Sequence, residues 1–214
     1  SGKYGSNYLT VYINIDKYDT LSTGGNGYLF LFAELLEKYF ESEKFEGPDY
    51  TLDTIKIHKD KNAIDIMAQL NAGAAQAMKE IPISSCTDVT GFGLLGHLRT
   101  MLESSGVGAR LQCNTVPLMD GAWELANKGA VSGGTNRNIE YMESVVVWPQ
   151  NIDGNWPILL NDAQTSGGLL ISVSQDNVER LITELVSAKT IAFSVIGEIV
   201  ERDSSNENLI TIEM

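Results

Sequence analysis

The chain has 214 residues, 28 acidic and 15 basic side chains, a net charge of −13 and 43% hydrophobic residues. That length suits one large domain, or a domain with an appendage, and the apolar content excludes disorder of the whole. The charge argues against unspecific binding to nucleic acid or an anionic membrane, and the longest apolar runs fall far short of a membrane span.

Residues 11–15 alternate like a strand, 28–40 read as an apolar-rich helix, and 41–50, charged and containing Gly47-Pro48, read as an exposed loop. Ile66, Leu70, Ala74, Ala77, Met78 and Ile81 form a helical stripe over 63–81, which Pro82 ends. Ala72-Gly73-Ala74-Ala75 has so little bulk that another element is expected to pack closely there. Leu94, Leu98, Met101 and Leu102 mark the buried face of a third helix. Residues 109–113 read as a strand and 120–127 as a helix that Lys128-Gly129 terminates. Gly133-Gly134-Thr135 opens a short helix, and 169–173 is a continuous apolar strand suited to the middle of a sheet. Ser174 is expected to cap a helix carrying Val178, Leu181, Ile182, Leu185 and Val186 on one face. Strands at 191–200 and 209–212 flank a turn at 203–208. Strands and helices mix without a strict alternation. The expected fold class is α+β, a mixed and mostly antiparallel sheet covered by helices.

The chemistry concentrates in Cys86-Thr87-Asp88-Val89-Thr90-Gly91-Phe92-Gly93-Leu94-Leu95-Gly96-His97. Asp88 lies at or just ahead of a helix N-terminus, where a carboxylate can hold a hard cation. The competing reading is that Asp88 or Thr90 only caps that helix. Gly133-Gly134-Thr135 before a helix presents free N–H groups to an anion, with Arg137 adding charge and Asn138 a donor and an acceptor. A tight turn with a Thr cap is the alternative there. Thr165-Ser166-Gly167-Gly168 runs into a strand and lacks the Lys of a P-loop. Close backbone approach explains its glycines, with Asp162 and Gln164 bracing the turn. His97 reads as a satisfied histidine at the core edge. Cys86 reads as structural, since no Lys or His flanks it to lower its pKa. No Cys/His spacing suggests zinc, and Trp123, Trp148 and Trp156 are too scattered to form a platform for bases.

The Thr87 to Gly93 stretch closely resembles the Thr-Asp-Val-Thr-Gly-Phe-Gly motif of selenophosphate synthetase (selenide, water dikinase). The likeness continues in order through Pro117-Leu118, Ala122-Trp123-Glu124-Leu125-Ala126, Gly133-Gly134-Thr135-Asn136-Arg137-Asn138, Asp162-Ala163-Gln164-Thr165-Ser166-Gly167-Gly168-Leu169-Leu170 and Val195-Ile196-Gly197-Glu198-Ile199. It is to the C-terminal domain, shared with aminoimidazole ribonucleotide synthetase-like enzymes, and divides the chain into a segment of uncertain assignment at 1–60 and that domain at 61–214. The family's glycine-rich segment with its reactive Cys or Sec and a lysine, and most of its ATP site, belong to an N-terminal domain to which nothing here is similar.

The resemblance implies an enzyme that makes selenophosphate from selenide and ATP with release of AMP and phosphate. It implies Mg²⁺ as cofactor, a homodimer when full length, and the cytosol as location. Asp88 is then a metal ligand, while Thr87, Thr90, Gly133, Gly134, Thr135, Arg137 and Asn138 are candidates for the phosphate or nucleotide side. No catalytic residue falls in this chain, and the isolated chain is expected to be inactive. Phe92 and Leu95 are expected to form the apolar part of a surface that meets the N-terminal domain. The alternatives are a non-catalytic paralogue or fragment that binds a partner, and a related aminoimidazole ribonucleotide synthetase-like enzyme.

Overall fold

The computed structural model describes residues 7–11, as backbone, and 65–214 apart from 204 and 206. Seven strands form one sheet in the order β2-β5-β1-β6-β3-β7-β4. They are β1 (Asn7–Val11), β2 (Ile83–Asp88), β3 (Val107–Gln112), β4 (Val146–Val147), β5 (Leu169–Ser174), β6 (Ser194–Glu201) and β7 (Ile210–Glu213). All neighbours are antiparallel except β3–β7 and β4–β7, which are parallel. The fold is the expected α+β arrangement.

β5 is flanked by β2 and β1, and its side chains are buried on both faces of the sheet. Leu170 points into one core, with α2 (Gly93–Ser105), α4 (Gly133–Met142) and α5 (Asn155–Leu160). Ile171 and Val173 point into the other, with α1 (Ala72–Met78) and α6 (Val178–Ser187). This alternation follows from the two-residue period of a strand. α3 (Ala122–Asn127) packs beside α5, bringing Trp123 edge-on to Trp156 with ring centroids 5.0 Å apart. Two of the tryptophans that look scattered in sequence therefore meet, as core rather than as a platform for bases.

α2 buries Leu94, Leu98, Met101 and Leu102 as the stripe requires, and Gly106 in the left-handed conformation (φ 66°) ends it. The stripe over 63–81 is not one helix. Residues 65–67 are helical, the chain turns, and α1 begins only at Ala72. Leu70, at the break, is 41% exposed, and Gly73 just beyond it has low helix propensity. Gly73 does receive a close neighbour: a Cβ there would lie 3.3 Å from the Ala188 carbonyl oxygen at the end of α6.

Ser174 does not cap α6. A 3₁₀ turn (Gln175–Asn177) intervenes, and the Ser174 hydroxyl accepts from Asn177 Nδ2 at 2.8 Å. The strand expected at 11–15 is placed at Asn7–Val11, with 12–15 outside the described residues, as are the helix expected at 28–40 and the loop at 41–50. No helix among the described residues is long and apolar enough to cross a membrane.

Candidate functional site

Three segments converge at the C-terminal end of β2: the turn 89–92 leading into α2, the N-terminal turns of α4, and the loop 161–168 leading into β5. Backbone bonds tie the first to the third. Val89 N donates to Gly168 O (2.8 Å), Gly167 N to Val89 O (2.9 Å), and Gln164 N to Thr90 O (3.1 Å). A Cβ on Gly167 would overlap the Val89 carbonyl, so the close approach expected of these glycines is real. Gly93, at φ 67°, also leaves no room: a Cβ would come within 2.7 Å of the Asn161 carbonyl.

α4 joins the assembly through buried polar side chains. Asn138 Nδ2 donates to Gly91 O (2.9 Å) and Asn161 O (3.0 Å), clamping the turn and the loop onto one helix. Thr135 is fully buried, and its hydroxyl donates to Asp162 Oδ1 at 2.7 Å. Gln164 Nε2 donates to Asp162 Oδ2 (3.1 Å) and Asp162 O (3.2 Å), the bracing expected of this turn. Burial raises the Asp162 carboxyl above its ordinary 3.8, against the opposing pull of hydrogen bonds from Thr135, Gln164 and the Ala163 amide. The α4 cap is Ser132, whose Oγ accepts from Thr135 N at 3.1 Å, and not Thr135.

Asp88 is the last residue of β2, five positions before α2 begins, and its side chain is exposed. The capping alternative fails for both residues proposed for it. The α2 N-cap position belongs to Phe92 with no side-chain cap, and the Thr90 hydroxyl lies instead 3.1 Å from His97 Nε2. Among the described residues no hydrogen bond or ion pair engages the Asp88 carboxylate. Thr87 is half-buried on the opposite face of β2, and its hydroxyl donates to the Asp88 carbonyl (3.2 Å).

Arg137 is exposed, and its guanidinium folds back over the first turn of its helix: a Cβ on Gly133 would lie 3.5 Å from one terminal nitrogen. No carboxylate pairs with it among the described residues. A cation at the positive end of a helix, beside free N–H groups, is an arrangement that an anion relieves.

Phe92 is 62% exposed beside this platform. Leu95, expected with it on a meeting surface, is fully buried in the core under α2. His97 is satisfied as expected, accepting the Thr90 amide at 3.0 Å. Its pKa is lowered by burial, with Asp88 pulling the other way. Cys86 is exposed on the edge strand, yet the crowding of its sulfur and then the Asp88 charge push the thiol up to about 11. A thiol raised in this way is poorly suited to act as a nucleophile at neutral pH.

No cluster of three or more His, Cys, Asp or Glu among the described residues could hold a metal by itself. One free carboxylate still fits Mg²⁺, which keeps several waters and is shared with substrate phosphates.

The chain matches the family described as AIR synthase related protein, C-terminal domain, over residues 39–209. It is 37% identical over 150 residues to "Selenide, water dikinase" of Aliarcobacter butzleri, covering 70% of this chain and 43% of that protein. It is 40% identical over 140 residues to the protein of the same name from Caldanaerobacter subterraneus, covering 65% and 40%. Among solved structures, E. coli HypE aligns with a TM-score of 0.47 at 17% identity, over 98% of this chain and 47% of that one. The chain thus spans about two-fifths of the length of these curated relatives.

Proposed function

This chain belongs to the family of AIR synthase related protein C-terminal domains, and we propose that it forms the C-terminal wall of the active site of a selenide, water dikinase. The complete enzyme makes selenophosphate from selenide, ATP and water, releasing AMP and phosphate. The observation that carries the reading is the Asp88 carboxylate, exposed and unengaged among the described residues, at the rim of a platform built by the 89–92 turn, the start of α4 and the 161–168 loop.

Mg²⁺, when bound, supplies the charge neutralisation on which phosphoryl transfer depends. Asp88 would be this chain's ligand to it. Arg137 and the free N–H groups of Gly133 and Gly134 would hold a phosphate or an anionic segment of the N-terminal domain. Thr135 and Asn138 act one step back: their donors are committed to Asp162, Gly91 and Asn161, so they hold the platform together. Thr87 and Thr90 flank Asp88 in sequence and fix its backbone. The same reading makes the complete enzyme a cytosolic homodimer whose reactive group lies in the N-terminal domain.

The test is AMP formation from ATP by the complete protein and by the 214-residue chain, each with and without selenide. The complete protein should release AMP only with selenide, and the chain alone should give background. A complete protein that binds its partners but shows no selenide-dependent AMP would favour the non-catalytic reading. Selenide-dependent turnover by the chain alone would show that the reactive group has been sought in the wrong domain.

A further inference from the structure

We infer that His97 is a positioning residue: its bare Nε2 accepts the Thr90 amide and so fixes the turn that carries Asp88. The backbone amide has only a hydrogen to give, so the 3.0 Å contact requires a lone pair on Nε2 and places the imidazole proton on Nδ1. The Thr90 hydroxyl, 3.1 Å from the same nitrogen, adds a second contact. The Thr90 carbonyl is engaged as well, accepting from Gly93 N (3.0 Å) and Gln164 N (3.1 Å). Thr90 is thereby fastened to the start of α2, to the 161–168 loop and to the second turn of α2.

Two further residues of the segment acquire a reason. α2 has no side-chain cap, so the bond from His97 across seven residues does the fastening a cap would do. The Phe92 ring meets the imidazole edge-on, with centroids 5.8 Å apart, and steadies its orientation. Gly96 makes room for that: a Cβ there would lie 2.7 Å from the Phe92 Cβ. Phe92, Gly96 and His97 thus form one clamp, with its jaw on the residue two positions after Asp88.

The functional half of this inference rests on the proposed metal role of Asp88, so the experiment separates the two. In the 214-residue chain, long-range ¹⁵N–¹H correlation of the His97 ring should show the Nδ1–H tautomer at neutral pH. Thr90 amide exchange should be at least roughly tenfold faster in His97→Phe, as expected for loss of one hydrogen bond. His97→Gln, whose Oε1 can take the place of Nε2, should restore slow exchange. An Nε2–H tautomer, or exchange unchanged by His97→Phe, overturns the inference. The tautomer decides even if the Phe variant does not fold.

In the complete enzyme, His97→Phe should raise the Mg²⁺ concentration for half-maximal activity severalfold, with His97→Gln near the wild type and Asp88→Asn as control. A shift in the Asp88 variant with none in His97→Phe overturns the positioning role. No shift in the Asp88 variant counts against the metal reading instead, and the clamp is then judged on tautomer and exchange.

Discussion

Helices α4 and α6 are each ten residues long and are held by opposite means. α6 buries Leu181 and Leu185 against Ala74, Ala77, Ile81, Ile171 and Val173, an apolar contact with no directional bond in it. α4 buries Thr135, Asn138 and Met142, and its two polar residues reach loop atoms at 2.7–3.0 Å. Apolar burial supplies stability but tolerates sliding. Hydrogen bonds to specific carbonyls fix position. The half of the molecule against which the Asp88 turn packs uses the second kind as well.

The largest effect should come from the half without the site. Leu181→Ala should cost about 3 kcal/mol in urea unfolding, the range for a fully buried leucine. If the division holds, it should leave the Mg²⁺ dependence of the complete enzyme unchanged. A changed dependence would join the two halves into one unit.

Asn138→Asp should come next, at about 2 kcal/mol. The variant keeps the size but loses both donors, and sets a carboxylate against the Gly91 and Asn161 carbonyls. Unlike the Leu181 change, it should release the turn, seen as faster amide exchange at Gly93 and Gln164. Equal exchange in both variants would abolish the distinction drawn between α4 and α6.

Asp162→Asn should be mildest, within about 1 kcal/mol at neutral pH, since Oδ1 can still accept from Thr135. Its signature is in pH. A carboxyl raised on folding holds its proton more tightly folded than unfolded. Its contribution to stability is therefore full below the unfolded value of 3.8 and is lost as pH rises through the raised folded value. Across that window the stability difference should move in favour of the variant as pH rises. Movement the other way would mean that the hydrogen bonds from Thr135 and Gln164 outweigh burial.

The comparison also explains what could be read from sequence. The α2 face and most of the α6 face were legible because apolar residues recur at helical spacing, although Val186, expected on the α6 face, is 49% exposed. Gly167 was legible because glycines entering an apolar strand signal close approach. β2 was not: it lies at the sheet edge, and Ser85 and Thr87 fill its inner positions, so no apolar alternation marks Ile83–Asp88. α5 was hidden by Pro157, which reads as a breaker but lies in the first turn, where its missing N–H is not needed. Asp88 was singled out as a candidate through the motif that carries it, while its freedom from capping became visible only with Phe92 at the N-cap. The His97 contact was out of reach, because seven residues of turn and helix must fold before Nε2 meets the Thr90 amide.

The most direct test of the account is Asp88→Asn in the complete protein, with turnover at saturating Mg²⁺ and thermal midpoint measured on the same preparation. The carboxylate is exposed and caps no helix, so the substitution removes a charge and no folding contact. Turnover should fall at least roughly tenfold, about 1.4 kcal/mol of transition-state stabilisation, with the midpoint unchanged. Wild-type turnover in a fully folded variant would contradict the assignment of Asp88 to the metal.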